Sequence, residues 1–288
     1  MSRIMVVCFA VSPLLACQAR EQPHAPAEAE STTAVDSPVQ SDAYEGRPAA
    51  KDEKPDPIAG PVSPEQDFFP ESCLALKEAD PSLPSGTYRI YPGTSMMQDR
   101  GLDASCDMET DGGGWTLVLN YNHQGNTNPE LNVRFDSLPQ LGSDVLGRDE
   151  SQEPEFWGHA GNEMLRVLTG FQELRFHCRS SENSRVLHFK TDDPSCVAAV
   201  QLGTGGCENL HQRFVPMSDH NAILPATADR WEIDRMDATL TYNTFGKTEA
   251  NTPARMWSIR AEPSQQVWEC DYGSNDALYH TLHRVWIR

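Results

Sequence analysis

Two stretches carry residue types and spacings that could do chemistry. The first is Trp268-Glu269-Cys270-Asp271-Tyr272-Gly273-Ser274-Asn275-Asp276-Ala277-Leu278-Tyr279-His280, which sets carboxylate and amide oxygens beside aromatic rings on a Gly-containing segment. Calcium takes oxygen ligands from flexible loops, and sugar rings stack on aromatic faces beside polar groups, so this composition suits a calcium-assisted glycan site. Asp271, Asn275 and Asp276 are the candidate metal ligands, and Trp268, Tyr279 and His280 the candidate ligand-binding residues. A surface turn stapled by Cys270 explains the same letters. The second stretch, Asp219-His220-Asn221 with Trp231 downstream, has a weaker version of this chemistry, and a solvated loop accounts for it equally well.

The nine histidines are the natural place to look for catalysis. His177 and His188 fall on two expected strands, as cross-strand neighbours or as ordinary half-exposed residues. His280 and His283 have the spacing of half a zinc motif, but positions i and i+3 of a strand point to opposite faces. No serine elbow, His-Glu-x-x-His helix or Cys-x-x-Cys pair occurs, so no catalytic residue is assigned and the expectation is a non-enzyme.

The elements that must position these residues begin with Cys106-Asp107-Met108-Glu109-Thr110-Asp111-Gly112-Gly113-Gly114-Trp115-Thr116-Leu117-Val118-Leu119, read as strand, glycine turn, strand. Trp115, Leu117, Leu119 and Tyr121 alternate with Thr116, Val118 and Asn120, the period of a strand with one buried face. The three glycines supply positive φ or close backbone approach, and they lack the helix and Lys-Ser/Thr pair of a phosphate loop. A short helix is expected at 162–168 with Asn162 as its cap, and strands at 173–178, 185–191, 238–245, 256–261 and 283–288. Long stretches rich in Gly, Asn, Asp and Pro lie between them.

The Cys-Asp-Met segment followed by Gly-Gly-Gly-Trp-Thr, with Cys73 upstream and Ser85-Gly86-Thr87-Tyr88-Arg89-Ile90-Tyr91-Pro92 between, resembles the fibrinogen-related domain family, which includes ficolins, tachylectins and the intelectins. The resemblance is specific over residues 73–119. It implies an α+β, loop-rich, disulfide-stapled fibrinogen C-terminal-like domain, a Cys73–Cys106 disulfide, and binding of glycans or acetylated ligands in C-terminal loops with calcium. The chain has no ficolin-type Asp-x-Asp calcium loop, so the calcium ligands do not carry over one by one.

Composition bounds the rest. A formal charge of −19 over 288 residues argues against nucleic acid and against direct adhesion to anionic lipid. Arg3 followed by the short apolar run from Ile4 to Ala16 reads as an export signal, residues 1–16. Leu14-Leu15-Ala16-Cys17 resembles the lipobox of bacterial lipoproteins, which implies lipid attachment at Cys17 and a place in the cell envelope, at the outer membrane or cell surface. An ordinary secretory signal is the other reading. Residues 17–70 read as a disordered tether: from 18 to 70 there are nine prolines and eleven acidic against four basic residues, too little apolar surface to offset ordering. The domain is then 71–288, with all six tryptophans. Export and the six remaining cysteines predict three disulfides; given Cys73–Cys106, three pairings of Cys178, Cys196, Cys207 and Cys270 stay open. The expected function is a surface-anchored lipoprotein with a calcium-assisted recognition domain. An exported metal-dependent hydrolase and a structural contact within the envelope are the alternatives.

Overall fold

The computed structural model describes residues 68–93, 100–148, 153–203, 210–226, 240–241, 245–249, 252–262, 265–271 and 278–288. Residues 17–67 of the tether, Cys207, Trp231, Asn275 and Asp276 lie outside the described residues. In chain order the elements are α1 (Cys73–Ala79), β1 (Gly86–Ile90), β2 (Leu102–Asp107), β3 (Trp115–His123), β4 (Val133–Arg134), β5 (Gly158–Ala160) and α2 (Asn162–Val167). There follow β6 (Leu174–Ser180), β7 (Val186–Thr191), α3 (Pro194–Leu202), α4 (Leu210–Arg213) and β8 (Phe214–Pro216). The last four strands are β9 (Phe245–Glu249), β10 (Thr252–Glu262), β11 (Gln265–Cys270) and β12 (Thr281–Ile287).

The main sheet runs β1-β2-β3-β12-β6-β7-β8, with β5 also on β3 and β4 on β5, and a smaller sheet runs β11-β10-β9. This is the α+β, loop-rich, disulfide-stapled architecture expected. The final strand β12 is inserted between β3 and β6, so residues far apart in sequence meet at the middle of the sheet.

The glycine turn works as its sequence requires. Gly112, Gly113 and Gly114 have φ of 87°, 78° and 81°, and a Cβ on Gly113 would sit 2.2 Å from the Met108 carbonyl oxygen, so no other residue fits there. The strand after it departs from simple alternation. All nine residues of β3 are buried, and the register against β12 slips between Val285 and Trp286, where one β12 residue spans two on β3. This β-bulge sends Trp115 and Leu117 to one face with Trp286, and Leu119 and Tyr121 to the other, in the main core. Trp115 is buried as its position implies, but in the smaller cluster.

Two disulfides fasten the frame: Cys73–Cys106, as the resemblance implies, and Cys178–Cys270, which joins β6 of the main sheet to β11 of the smaller one. Cys196 is also disulfide-bonded. The helix at 162 is present, but its cap is Gly161, without a side-chain cap, and Asn162 is buried in its first turn. Three helices, α1, α3 and α4, were not anticipated. Ser72 caps α1 through its hydroxyl, which accepts from the Ala75 N–H at 3.1 Å. Asp193 caps α3, whose first residue is Pro194 and whose C-cap Gly203 is left-handed at φ 71°.

Candidate functional site

The register of β7, β6, β12 and β3 turns a linear pattern into two faces. His188, His177 and Arg284 stand in one cross-strand row, and Arg284 continues to Asn120. Lys190, Arg175 and Trp286 form the neighbouring row. Arg175, His177 and Arg179 alternate along β6 on this face, while Leu174, Phe176 and Cys178 enter the core on the other. The polar face floors a cleft of about 630 Å³ whose walls include Ser85, Thr87, Ser105, Asp107 and Asp144.

Arg175 is the most buried cation there, 1% exposed, with its Nη2 donating to Asp107 at 2.7 Å. Its guanidinium lies 4.0 Å from the Trp286 ring centre and 4.9 Å from that of Trp115, within cation–π range. Its Nε and Nη1 are buried without a hydrogen-bond partner. Burial pushes the Asp107 carboxyl up, but Arg175 and the Thr110 hydroxyl and N–H outweigh this and hold it at about 2. Arg284 is used structurally: Nε donates to Asn120 Oδ1 at 2.8 Å, Nη2 to the Ser143 carbonyl at 3.1 Å, and Nη1 pairs with Asp144. Arg179 donates to the Asp144 carbonyl.

At the other end of the cleft the rings of His177 and His188 are 4.7 Å apart between centres. Asp219 arrives from the turn after β8, and its Oδ1 is 2.7 Å from His188 Nδ1. His220 holds that turn in place, since its Nδ1 accepts the His188 backbone N–H at 2.9 Å. Burial lowers the pKa of all three histidines; for His177 it is reinforced by His188, Arg284, Arg179 and Arg175, while for His188 and His220 nearby carboxylates oppose it. His177, His188 and Asp219 can bring one ligand atom each within 4.8 Å of one another.

The C-terminal candidate loop is placed differently from expectation. Trp268 sits on β11, 1% exposed, and its face is covered by the His123 ring at 4.2 Å and 6°. It therefore belongs to the core and has no face to offer a sugar. Asp271, also buried, has φ 67°; its Oδ1 accepts the N–H groups of Ile223 and Leu224 at 3.0 Å each, and Arg185 pairs with its other oxygen at 2.6 Å. Its carboxylate is spent on fixing that loop, which corrects its assignment as a calcium ligand. Tyr279 is half-buried and His280 exposed, and the His280 N–H donates to Ser181 Oγ at 3.0 Å. His283 faces inward, its Nε2 2.9 Å from the Glu269 carbonyl, so the His280/His283 pair is split as its strand spacing predicts. The chemistry that sequence reasoning missed is Arg175, Asp107 and Arg284; the alternation Arg175-Phe176-His177-Cys178-Arg179 was the available signal.

Known proteins resemble this chain over part of its length. It is 36% identical over 123 residues to Veficolin-1 of Varanus komodoensis, covering 42% of this chain and 48% of that protein. It is 35% identical over 101 residues to Techylectin-5A of Tachypleus tridentatus, covering 34% of this chain and 31% of that protein. Ryncolin-4 of Cerberus rynchops is 34% identical over 114 residues, covering 39% of this chain and 28% of that protein. The chain thus spans about half the length, or less, of the curated relatives it matches. No protein-family model matches it. Among solved structures, the fibrinogen-like globe domain of human ANGPTL6 aligns with 81% of this chain and 98% of its own at 17% identity and TM-score 0.34. That of human ANGPTL2 aligns with 75% and 98% at 15% identity and TM-score 0.34. Over the matched residues the chain is similar to fibrinogen-related proteins. These curated relatives are of the ficolin and techylectin type.

Proposed function

We propose that this domain is a non-enzymatic recognition module for glycans or acetylated ligands, and that it engages them in the cleft over β6, β7 and β12. The observation that carries this reading is Arg175: a guanidinium buried to 1% exposure at the cleft floor, with two of its nitrogens, Nε and Nη1, unpartnered and a tryptophan ring against it. Buried donors without partners are costly, and an acetyl carbonyl or sugar carboxylate oxygen is the chemistry that would satisfy them. Calcium assistance belongs to the same reading through Asn275 and Asp276, with Tyr279 and His280 alongside. The module is carried on the 17–70 tether from a lipid on Cys17, at the outer membrane or surface of a bacterial envelope.

A glycan array that includes N-acetylated and acidic sugars, read in calcium and in chelator, tests this. Selective binding to such sugars is expected, weakened by chelator. Binding to none of them overturns the recognition reading, and binding indifferent to chelator removes calcium from it. For the anchor, Cys17→Ser should abolish lipid attachment, and an intact mass of the mature protein without an acyl chain overturns that part.

A further inference from the structure

We propose that His177 and His188 form a binding site for a borderline divalent d-block ion of the zinc class, with two imidazole ligands, Asp219 holding the His188 ring by its far nitrogen, and the remaining coordination open to the cleft. The site lies in the same cleft, but its argument does not rest on the glycan reading.

Geometry comes first. The two histidines are register partners on neighbouring antiparallel strands, so their side chains leave the same face side by side, and the sheet beneath them is rigid. Asp219 is delivered by a turn that is itself fixed to the strand: the Met217 N–H donates to the His188 carbonyl at 2.9 Å, and the His188 N–H to His220 Nδ1. Two nitrogen or oxygen ligands on tetrahedral zinc lie about 3.4 Å apart, given bonds of about 2.05 Å. The rings of His177 and His188 stand 4.7 Å apart between centres on that face, and Asp219 Oδ1 is 2.7 Å from His188 Nδ1.

The second observation concerns hydrogen bonding. His188 Nδ1–H donates to Asp219, which leaves Nε2 as the lone pair, and that Nε2 is buried with no hydrogen-bond partner. A carboxylate fixing the far nitrogen of an imidazole orients the ring and raises its basicity as a ligand, the usual support of a metal-binding histidine. The only unmet capacity of the ring is the one a metal uses. His220 does not compete, because its Nδ1 is taken by the backbone.

The charges permit a cation. Arg175, Arg179 and Arg284 face His177, while Asp219 and His220 face His188. Arg175 and Arg284 are each paired with a carboxylate, Asp107 and Asp144. Imidazole ligands select zinc, nickel, copper or cobalt over calcium, which separates this site from any calcium in the C-terminal loop.

The test is zinc competition against a chromogenic chelator with the purified full chain, backed by the visible spectrum of the cobalt form. One equivalent of zinc is expected, with a cobalt spectrum of low coordination number. His177→Ala and His188→Ala should each weaken binding at least ~10-fold, and Asp219→Asn ~10–100-fold. His211→Ala, an exposed histidine on α4, should change nothing. Asp219→Asn alters an exposed side chain, so it reports even if a histidine variant fails to fold. Absence of zinc uptake by the native chain, or uptake retained in the His177→Ala/His188→Ala double variant, overturns the site. Neither outcome bears on the glycan array.

Discussion

Phe176 and His177 are consecutive residues on β6 with opposite fates. Phe176 packs in the core, with Phe189 stacked at 5.4 Å and Trp257 edge-on at 5.3 Å. His177 looks the other way, into a cleft of arginines, carboxylates and a second imidazole. One face spends its residues on excluding water, and the other holds polar groups whose capacity is only partly used. The difference teaches where to look for function: in the row of side chains that the hydrophobic effect does not need.

That contrast can be broken by mutation. Phe176→Ala should cost about 3–5 kcal/mol of folding stability in a denaturant melt, as for large aromatic truncations in a tight core. His177→Ala should cost within about 1 kcal/mol and instead alter ligand or zinc binding. Similar losses for the two would mean that the cleft face is structural as well.

A pH titration sharpens it. His283, on the core side, is held at about 4 by burial, opposed by its bond to the Glu269 carbonyl. Above pH of about 6.5 this histidine is neutral folded and unfolded and contributes no pH dependence. As pH falls from about 6.5 to about 4 the unfolded chain takes up a proton that the folded one refuses, so stability declines, by on the order of 3 kcal/mol. His177, His188 and His220 shift in the same direction and add to the decline. His283→Gln should flatten the curve, checked by melts at pH 7 and pH 4.5; an unchanged slope would assign the whole effect to the cleft.

Smaller effects lie within the cleft. Asp107→Asn removes the charge partner of a buried guanidinium and should cost about 1.5–3 kcal/mol by thermal melt. Asp219→Asn, at an exposed turn, should change stability within about 0.5 kcal/mol and act on metal uptake alone.

Much of the core face was legible in the sequence. The glycine turn, the first disulfide, β6, β7 and the cross-strand option for His177 and His188 all follow from local pattern or resemblance. The β3 bulge was not, because a single inserted residue flips side-chain parity without changing which residues are apolar. Asp219 was a candidate, but its meeting with His188 was not legible, since it reaches that residue across 31 positions through a turn no local rule specifies. Trp268 and Asp271 misled for a physical reason: an acidic, aromatic segment reads as a polar loop, yet β11 carries it inward, where Asp271 is neutralised by Arg185. α3 was overlooked although Asp193-Pro194 and Gly203 bracket it, since apolar Ala198 and Leu202 on its other face blur the stripe formed by Cys196, Val197, Ala199 and Val200.

The Cys178–Cys270 bond also has a mechanical consequence. It joins residues 92 positions apart, a length of chain that would span roughly 300 Å if drawn out straight. Tension applied to the two ends of the domain passes through the sulfur atoms and bypasses everything between them. His188 and Asp219 lie inside that bypassed loop, and His177 is the residue immediately before it. A pull strong enough to peel strands from the edges would thus still leave the two histidines and the carboxylate tethered within a short reach of one another, and stretching in an optical trap should release this length only after a reductant is added.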